Sequence, residues 1–257
     1  PSVGATENAL LAAVLADGET VIRGGAREPE IADLIGFLNR CGGKIKTEPD
    51  GTLCVTGVKE LCGCEYRVMP DRMAAATYLC CGAITGGDIL LRQVCPAHLG
   101  SVLPVLEEMG CRVSAGSTQI ALRAPQRLRA VKEIMTMPYP GFPTDAQALL
   151  MALATRADGT TVFVENIFEN RYKHAAELCR MGADIKIEGK VAVVQGVKQL
   201  YGTSVRATDL RGGAAMIIAG LAAQGDTTIE DVYHIERGYE NICENLTKLG
   251  ANIEGLY

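Results

Sequence analysis

The sequence predicts an α/β fold built from one supersecondary unit repeated four times. Three observations carry that expectation. Four alanine-rich apolar stretches, "ALLAAVLA", "AAATYLCCGAI", "AQALLMALA" and "AAMIIAGLAA", are each followed by a glycine turn and a short β-prone run. Each copy then closes on a near-identical signature, "RCGGKI", "EMGCRV", "RMGADI" or "KLGANI". The glycines of these endings, Gly42, Gly110, Gly182 and Gly250, recur at intervals of 68, 72 and 68 residues, and the turn glycines Gly18, Gly87, Gly159 and Gly225 at 69, 72 and 66. Two markers held in step over four copies indicate a repeat architecture.

Within a copy the elements follow in order. The first helix has almost no polar face, so it must be covered on every side. Ahead of it stand "SVGATEN", "PDRMAA", "PTDAQA" and "TDLRGG", in which Asp71, Thr144, Asp145 and Asp209 are the residue types that cap a first turn. The β-prone runs are "DGETVI", "GGDILL", "DGTTVFV" and "QGDTTIEDV". The second helix is amphipathic: in "PEIADLIGFLNRCGG", Ile31, Leu34, Ile35 and Leu38 fall at helical spacing with charges between them. The glycine after it suits a left-handed stop. A further β-prone segment completes a β-α-β-α-β pattern of about 70 residues, which favours α/β layering.

Equivalent helices buried alike around a local pseudo-symmetry axis run roughly parallel, so their N-termini open at one end. A helix N-terminus offers unpaired N–H groups and about half a unit of positive charge. Several aimed at one place make an anion site even in a chain of net charge −5. The same net charge argues against general nucleic-acid binding, which needs a broad basic surface. Arg72 and Arg211 sit in first turns, where the dipole disfavours them. Arg27, Arg171 and Arg237 sit at the starts of second helices. A nearby acidic ligand accounts for their recurrence.

With 257 residues, 48% of them hydrophobic, the chain suffices for one large or two medium domains. No apolar run is long enough to cross a bilayer and no basic-then-apolar leader opens the chain, so no membrane association is expected. Of the ten cysteines, Cys80, Cys81, Cys179 and Cys243 lie in helical stretches, where they act as small hydrophobes. Cys62-Gly-Cys64 lacks a second pair or a histidine at zinc-ligand spacing, and His98, His174 and His234 are scattered. Reduced thiols, no metal and a cytoplasmic location are the expectation. The opening "PSVGATENALLAAVLA", without a methionine, reads as the later part of a longer protein.

Taken together, "SVGATEN", "AREPEI", "PDR", "FPTDAQA", "FENRY" with His174 and "RMGA", "ATDLR" and "YHIERGYE" resemble the enolpyruvyl transferase family, specifically its UDP-N-acetylglucosamine 1-carboxyvinyltransferases of peptidoglycan precursor synthesis. The resemblance runs the length of the chain. It implies two domains, each an inside-out α/β barrel of three βαβαββ units with buried parallel helices, and an active site in the cleft between them. Residues 1–69 would be the last unit of the first domain and 70–257 the three units of the second. A lysine-asparagine motif and the mobile loop carrying the catalytic acid would lie upstream, leaving this chain inactive alone.

The reaction implied is transfer of an enolpyruvyl group from phosphoenolpyruvate to the sugar 3-hydroxyl, with release of phosphate. By resemblance Asp145 is the base, Arg211 and Arg237 hold the small substrate, and Asp209 lies near the tetrahedral centre. Arg171 is the electrostatic partner of Asp145 and acts in domain closure; Ser2, Val3 and Gly4 bind the nucleotide, and Ile167 contacts the sugar. The implied partners are UDP-N-acetylglucosamine and phosphoenolpyruvate, with no cofactor and a monomeric full-length protein. The sequence departs from the family at Ala74 and Ala75, where relatives more often carry an acidic residue and another small one. Two other readings stay open: a sister enzyme acting on shikimate 3-phosphate, and a non-catalytic ligand-binding repeat module.

Overall fold

The repeat reappears as one sheet built three times over. The computed structural model describes residues 2–255, so Pro1, Leu256 and Tyr257 of the expected domain spans lie outside the described residues. The first copy comprises α1 (Val3–Ala13), β1 (Glu19–Ile22), α2 (Pro29–Arg40), β2 (Lys44–Thr47) and β3 (Leu53–Thr56). The second comprises α3 (Arg72–Ile84), β4 (Asp88–Arg92), a 3-10 turn at Pro96–Leu99, α4 (Leu103–Glu108), β5 (Arg112–Ala115) and β6 (Gln119–Arg123). The third comprises β7 (Glu133–Met135), α5 (Thr144–Ala154), β8 (Thr160–Val164), α6 (Lys173–Arg180), β9 (Asp184–Glu188) and β10 (Val191–Gln195). The fourth comprises β11 (Leu200–Tyr201), β12 (Ser204–Arg206), α7 (Leu210–Leu221), β13 (Ala223–Gln224), β14 (Thr228–Glu230), α8 (Tyr233–Glu236) and α9 (Ile242–Lys248).

In the first three copies the last strand of the hairpin lies between the other two, giving the orders β1-β3-β2, β4-β6-β5 and β8-β10-β9, all antiparallel. β7 adds in parallel beside β8, with Ile134 next to Phe163, and completes a βαβαββ unit. The fourth copy departs from the expected repeat: β11 pairs with β13 and β12 with β14, both in parallel, and no strand follows α9 among the described residues. Only residues 251–255 are described beyond Gly250, too few for a two-stranded hairpin.

The expected helix stops are present. Gly42, Gly110, Gly182 and Gly250 have φ of 99°, 98°, 94° and 96°, a region where a Cβ is unfavourable. In the turns ahead of the β-prone runs the second copy differs, with the positive φ on Gly86 and not Gly87.

The chain forms two compact units, one ending at Pro70 and including Pro138–Gly141, the other made of Asp71–Met137 and the chain from Phe142 onward. The first has its own core around Leu10, Ile31, Leu38, Leu53 and Val55. In the second, α3, α5 and α7 pack against one another, and each is backed by strands: β4 and β6 behind α3, β8 and β10 behind α5, β11, β12 and β14 behind α7. Every residue of α5 from Ala146 to Ala154 is buried. The strands that cover it alternate, Phe163, Ala192 and Val194 facing in.

Full enclosure of the apolar helices thus holds for the second unit and fails for α1. That helix buries Thr6, Leu10 and Ala13, while Leu11 is 51% exposed. The reason is its neighbours: α1 packs on α2, β1 and β3, without the two flanking helices that α3, α5 and α7 give one another. Replacing Leu150, which is fully buried in α5, by alanine is expected to cost about 2–5 kcal/mol in urea denaturation of the second unit. The Leu11→Ala change on the exposed side of α1 is expected to stay within about 0.5 kcal/mol.

Candidate functional site

The mutual packing of α3, α5 and α7 brings their first turns to one end of the second unit. Asp71 caps α3 by accepting from the amides of Met73 and Ala74, at 2.7 and 3.0 Å. Asp209 caps α7 by accepting from Arg211 and Gly212, both at 2.9 Å. Asp145 does not cap α5, contrary to the expectation from its residue type. Pro143 occupies the cap position and offers no side-chain acceptor, and Asp145 stands one residue into the helix after Thr144. From there its carboxylate accepts from arginine side chains and from none of the free amides.

The carboxylate is held by two arginines. Arg171 Nη2 donates to Oδ1 at 2.7 Å, and Arg211 donates to Oδ2 through Nε at 3.2 Å and Nη2 at 3.1 Å. Asp145 is 42% exposed, against 21% for Arg171 and 12% for Arg211. A pair so open to water contributes on the order of 1 kcal/mol to stability, but it fixes two cations and one acid within a few ångströms, and the trio carries a net positive charge.

Arg211 is braced from its far side. Its Nη1 donates to the Tyr239 hydroxyl at 2.9 Å, and that hydroxyl lies 2.9 Å from Thr77 Oγ1. Thr77 gives its one proton to the Met73 carbonyl, so Tyr239 donates to Thr77 while accepting from Arg211. Burial pushes the Tyr239 phenol up, which keeps it protonated. Burial alone would lower Arg211, but Tyr239 and Asp145 outweigh it and hold the guanidinium above its ordinary value. The first turn of α7 comes this close because residue 213 is glycine: a Cβ there would meet Ile235 Cγ1 at 2.5 Å.

Arg171 is placed by a second buried network. Glu165, at the end of β8, accepts from Thr136 Oγ1 at 2.9 Å and from the amides of Ile167 and Phe168 at 2.8 and 3.1 Å, all on Oε1. Its Oε2 accepts from Thr144 Oγ1 at 3.0 Å. One carboxylate thereby ties Thr136 just past β7, the loop carrying Ile167 and Arg171, and the start of α5. His174, three residues further on, is fully buried close to the Arg171 charge. The Asp209 carboxyl would be raised by burial, yet the Gly212 amide, the Arg171 charge and the Arg211 amide hold it below the usual range.

Of the residues singled out from sequence, Asp145, Arg171 and Arg211 are in direct contact, and Asp209 sets the start of the helix that carries Arg211. Ile167 is exposed on the loop fixed by Glu165. Arg237 ends α8, exposed and without a side-chain partner among the described residues. Ser2, Val3 and Gly4 begin α1 in the first unit, where Ser2 Oγ caps the helix by accepting from the Ala5 amide at 3.3 Å. Sequence reasoning missed Glu165, Tyr239 and Thr77. A lone acid closing the apolar run "TTVFVE" was the available signal for the first, and the "RGYE" motif for the second. Among the described residues no group of three or more His, Cys, Asp or Glu side chains could hold a metal, and no helix is long and apolar enough to cross a membrane.

His174 links this network to pH. Burial lowers its imidazole to about 4, from an ordinary value near 6.5, and the nearby Arg171 charge acts in the same sense. Between those limits the unfolded chain binds the proton and the folded chain does not, so stability is complete above about pH 6.5 and falls as pH drops towards 4. The full effect is on the order of 3 kcal/mol. His174→Gln is expected to flatten the stability profile across this window in urea denaturation followed at several pH values.

The family model for EPSP synthase (3-phosphoshikimate 1-carboxyvinyltransferase) matches residues 1–246. UDP-N-acetylglucosamine 1-carboxyvinyltransferase 1 of Symbiobacterium thermophilum is 52% identical over 98% of this chain and 57% of its own length. The UDP-N-acetylglucosamine 1-carboxyvinyltransferase of Nitratidesulfovibrio vulgaris is 49% identical over 98% of this chain and 61% of its own. The chain therefore spans about three-fifths of the curated relatives it matches. Among solved structures, the enolpyruvyl transferase NikO from Streptomyces tendae superposes with a TM-score of 0.88 at 29% identity, covering 98% of this chain and 60% of that one. EPSP synthase from Acinetobacter baumannii shares the fold, with a TM-score of 0.75 at 24% identity over 99% of this chain and 62% of that one. With the model matched over nearly every residue and the fold shared, the chain belongs to the EPSP synthase family of carboxyvinyltransferases.

Proposed function

We propose that this chain carries part of an active site that transfers an enolpyruvyl group from phosphoenolpyruvate to the 3-hydroxyl of UDP-N-acetylglucosamine, releasing phosphate. The observation that carries this reading is the Asp145 carboxylate between Arg171 and Arg211, at the shared end of three buried helices. The names of the relatives at 49–52% identity support the choice of acceptor.

In this scheme the sugar hydroxyl attacks C2 of phosphoenolpyruvate while Asp145 takes its proton, and an acid protonates C3. Loss of that C3 proton then expels phosphate and restores the double bond. An aspartate is a weak base at neutral pH, so its proton transfer comes late in C–O bond formation. Arg211 and Arg237 grip the carboxylate and phosphate, for which the guanidinium fork is suited. Both Asp145 oxygens accept from guanidiniums, and a substrate anion competes for the same fork of Arg211. Its arrival draws Arg211 away and leaves Oδ2 for the hydroxyl proton. Asp209 acts close to the tetrahedral centre from its cap position. Ile167 contacts the sugar, and Ser2, Val3 and Gly4 take the nucleotide.

The same reading makes residues 1–69 the last unit of one domain and 70–257 the three units of another, in a cytoplasmic protein that works as a monomer at full length. Transfer to shikimate 3-phosphate is the second reading, favoured by the match to the EPSP synthase family model. The lower identity to EPSP synthase, 24% against 52% for the UDP-sugar relative, weighs against it.

The test is phosphate release by a protein of the relatives' full length, given phosphoenolpyruvate with either acceptor. Turnover is expected with UDP-N-acetylglucosamine, and Asp145→Asn is expected to lower kcat by about 10²–10⁴-fold with little change in the unfolding midpoint. A preference for shikimate 3-phosphate would overturn the acceptor, and an active Asp145→Asn variant would overturn the base.

A further inference from the structure

We propose that Cys41 and Cys64 are a reactive thiol pair, which a small-molecule disulfide converts into an intrachain disulfide that locks the segment before Pro70 onto α2. Asp33, Phe37 and Cys41 lie four residues apart, so they form one stripe along α2 and its end. The segment from Gly57 to Pro70 has no helix or strand of its own and runs back along that stripe. The Tyr66 hydroxyl is 3.0 Å from both Asp33 Oδ1 and the Asp33 carbonyl, and its ring meets Phe37 edge-on at 5.5 Å. The Met69 amide donates to Asp33 Oδ1 at 3.2 Å, and the Cys62 amide donates to the Cys41 carbonyl at 2.8 Å.

Between these fixed points Cys64 Sγ lies 3.4 Å from Cys41 Sγ. A disulfide is about 2.05 Å long, so the sulfurs need to close by little more than an ångström on a backbone already pinned at both sides. All ten cysteines are free thiols, and no metal-holding cluster lies among the described residues, which leaves thiol chemistry to this pair. None of its residues belongs to the Asp145 site, so the proposal stands apart from the proposed transferase function.

The steps balance. Cys64, the more accessible of the two, attacks one sulfur of oxidised glutathione as its thiolate. It forms a mixed disulfide and releases one glutathione thiolate. Cys41 then loses its proton and attacks the Cys64 sulfur, forming the intrachain bond and expelling the second glutathione thiolate. Two cysteine thiols are oxidised and one small disulfide is reduced to two thiols. Burial, together with the neighbouring Cys64 and Cys62, holds the Cys41 thiol above its ordinary value, so ring closure quickens as pH rises.

The experiment treats the reduced chain with oxidised glutathione, quenches by alkylation and maps the peptides. The expected result is the loss of two titratable thiols, a peptide joining Cys41 to Cys64, and slower tryptic cleavage after Arg67. Cys64→Ser, a change at a partly exposed position, is expected to abolish the bond in a folded chain. Cys62→Ser is expected to leave it intact. Failure to lose thiols, a stable glutathione adduct without ring closure, or a bond through the exposed Cys62 in place of either partner would overturn the proposal.

Discussion

Three helices with almost no polar surface must bury one another, and the second unit follows from that requirement. Because α3, α5 and α7 give their flanks to a common core, their charged residues, Arg72, Asp145 and Arg211, stand in the first turns. Thr77, Asp145, Arg211 and Tyr239, separated widely in sequence, therefore meet at one end through hydrogen bonds of 2.9–3.2 Å. Asp145 and Arg211 occupy the same position, second residue of the helix, in two copies of the repeat. The repeat thus supplies equivalent places, and opposite charges at two of them make the pair. An unpaired acid there would meet the positive ends of the surrounding helices; the arginines keep the cluster cationic as well as ordered.

The periodic parts of this arrangement were legible in the sequence. Glycine spacing located the left-handed stops, and the absence of a polar face foretold the enclosure of α3, α5 and α7. The same pattern misled at α1, because a run of apolar residues states a need for neighbours without stating how many are supplied. Asp71, Asp145 and Asp209 all read as caps. They differ by two residues of register: the first and last precede their helices, whereas Asp145 follows Thr144 inside the turn. Pro143 was the local clue, since it takes the cap position. Among the residues of the candidate site, Asp145, Arg171 and Arg211 were visible through their motifs. Glu165, Thr77 and Tyr239 were not, because what they do depends on partners up to 162 residues away.

The Glu165 carboxylate has a mechanical consequence. Four hydrogen bonds converge on it from Thr136 just past β7, from the first residue of α5 and from the amides that begin the following loop. With its oxygens so engaged inside the protein, the root of the loop and the start of the helix behave as one rigid body. Adjustment between Arg171 and Asp145 is then left to side-chain torsions, which relax in picoseconds to nanoseconds, and the slower microsecond opening typical of an unanchored loop is not required. Rearrangement of the Asp145–Arg211 contact can accordingly proceed at the pace of side chains, without waiting for the backbone.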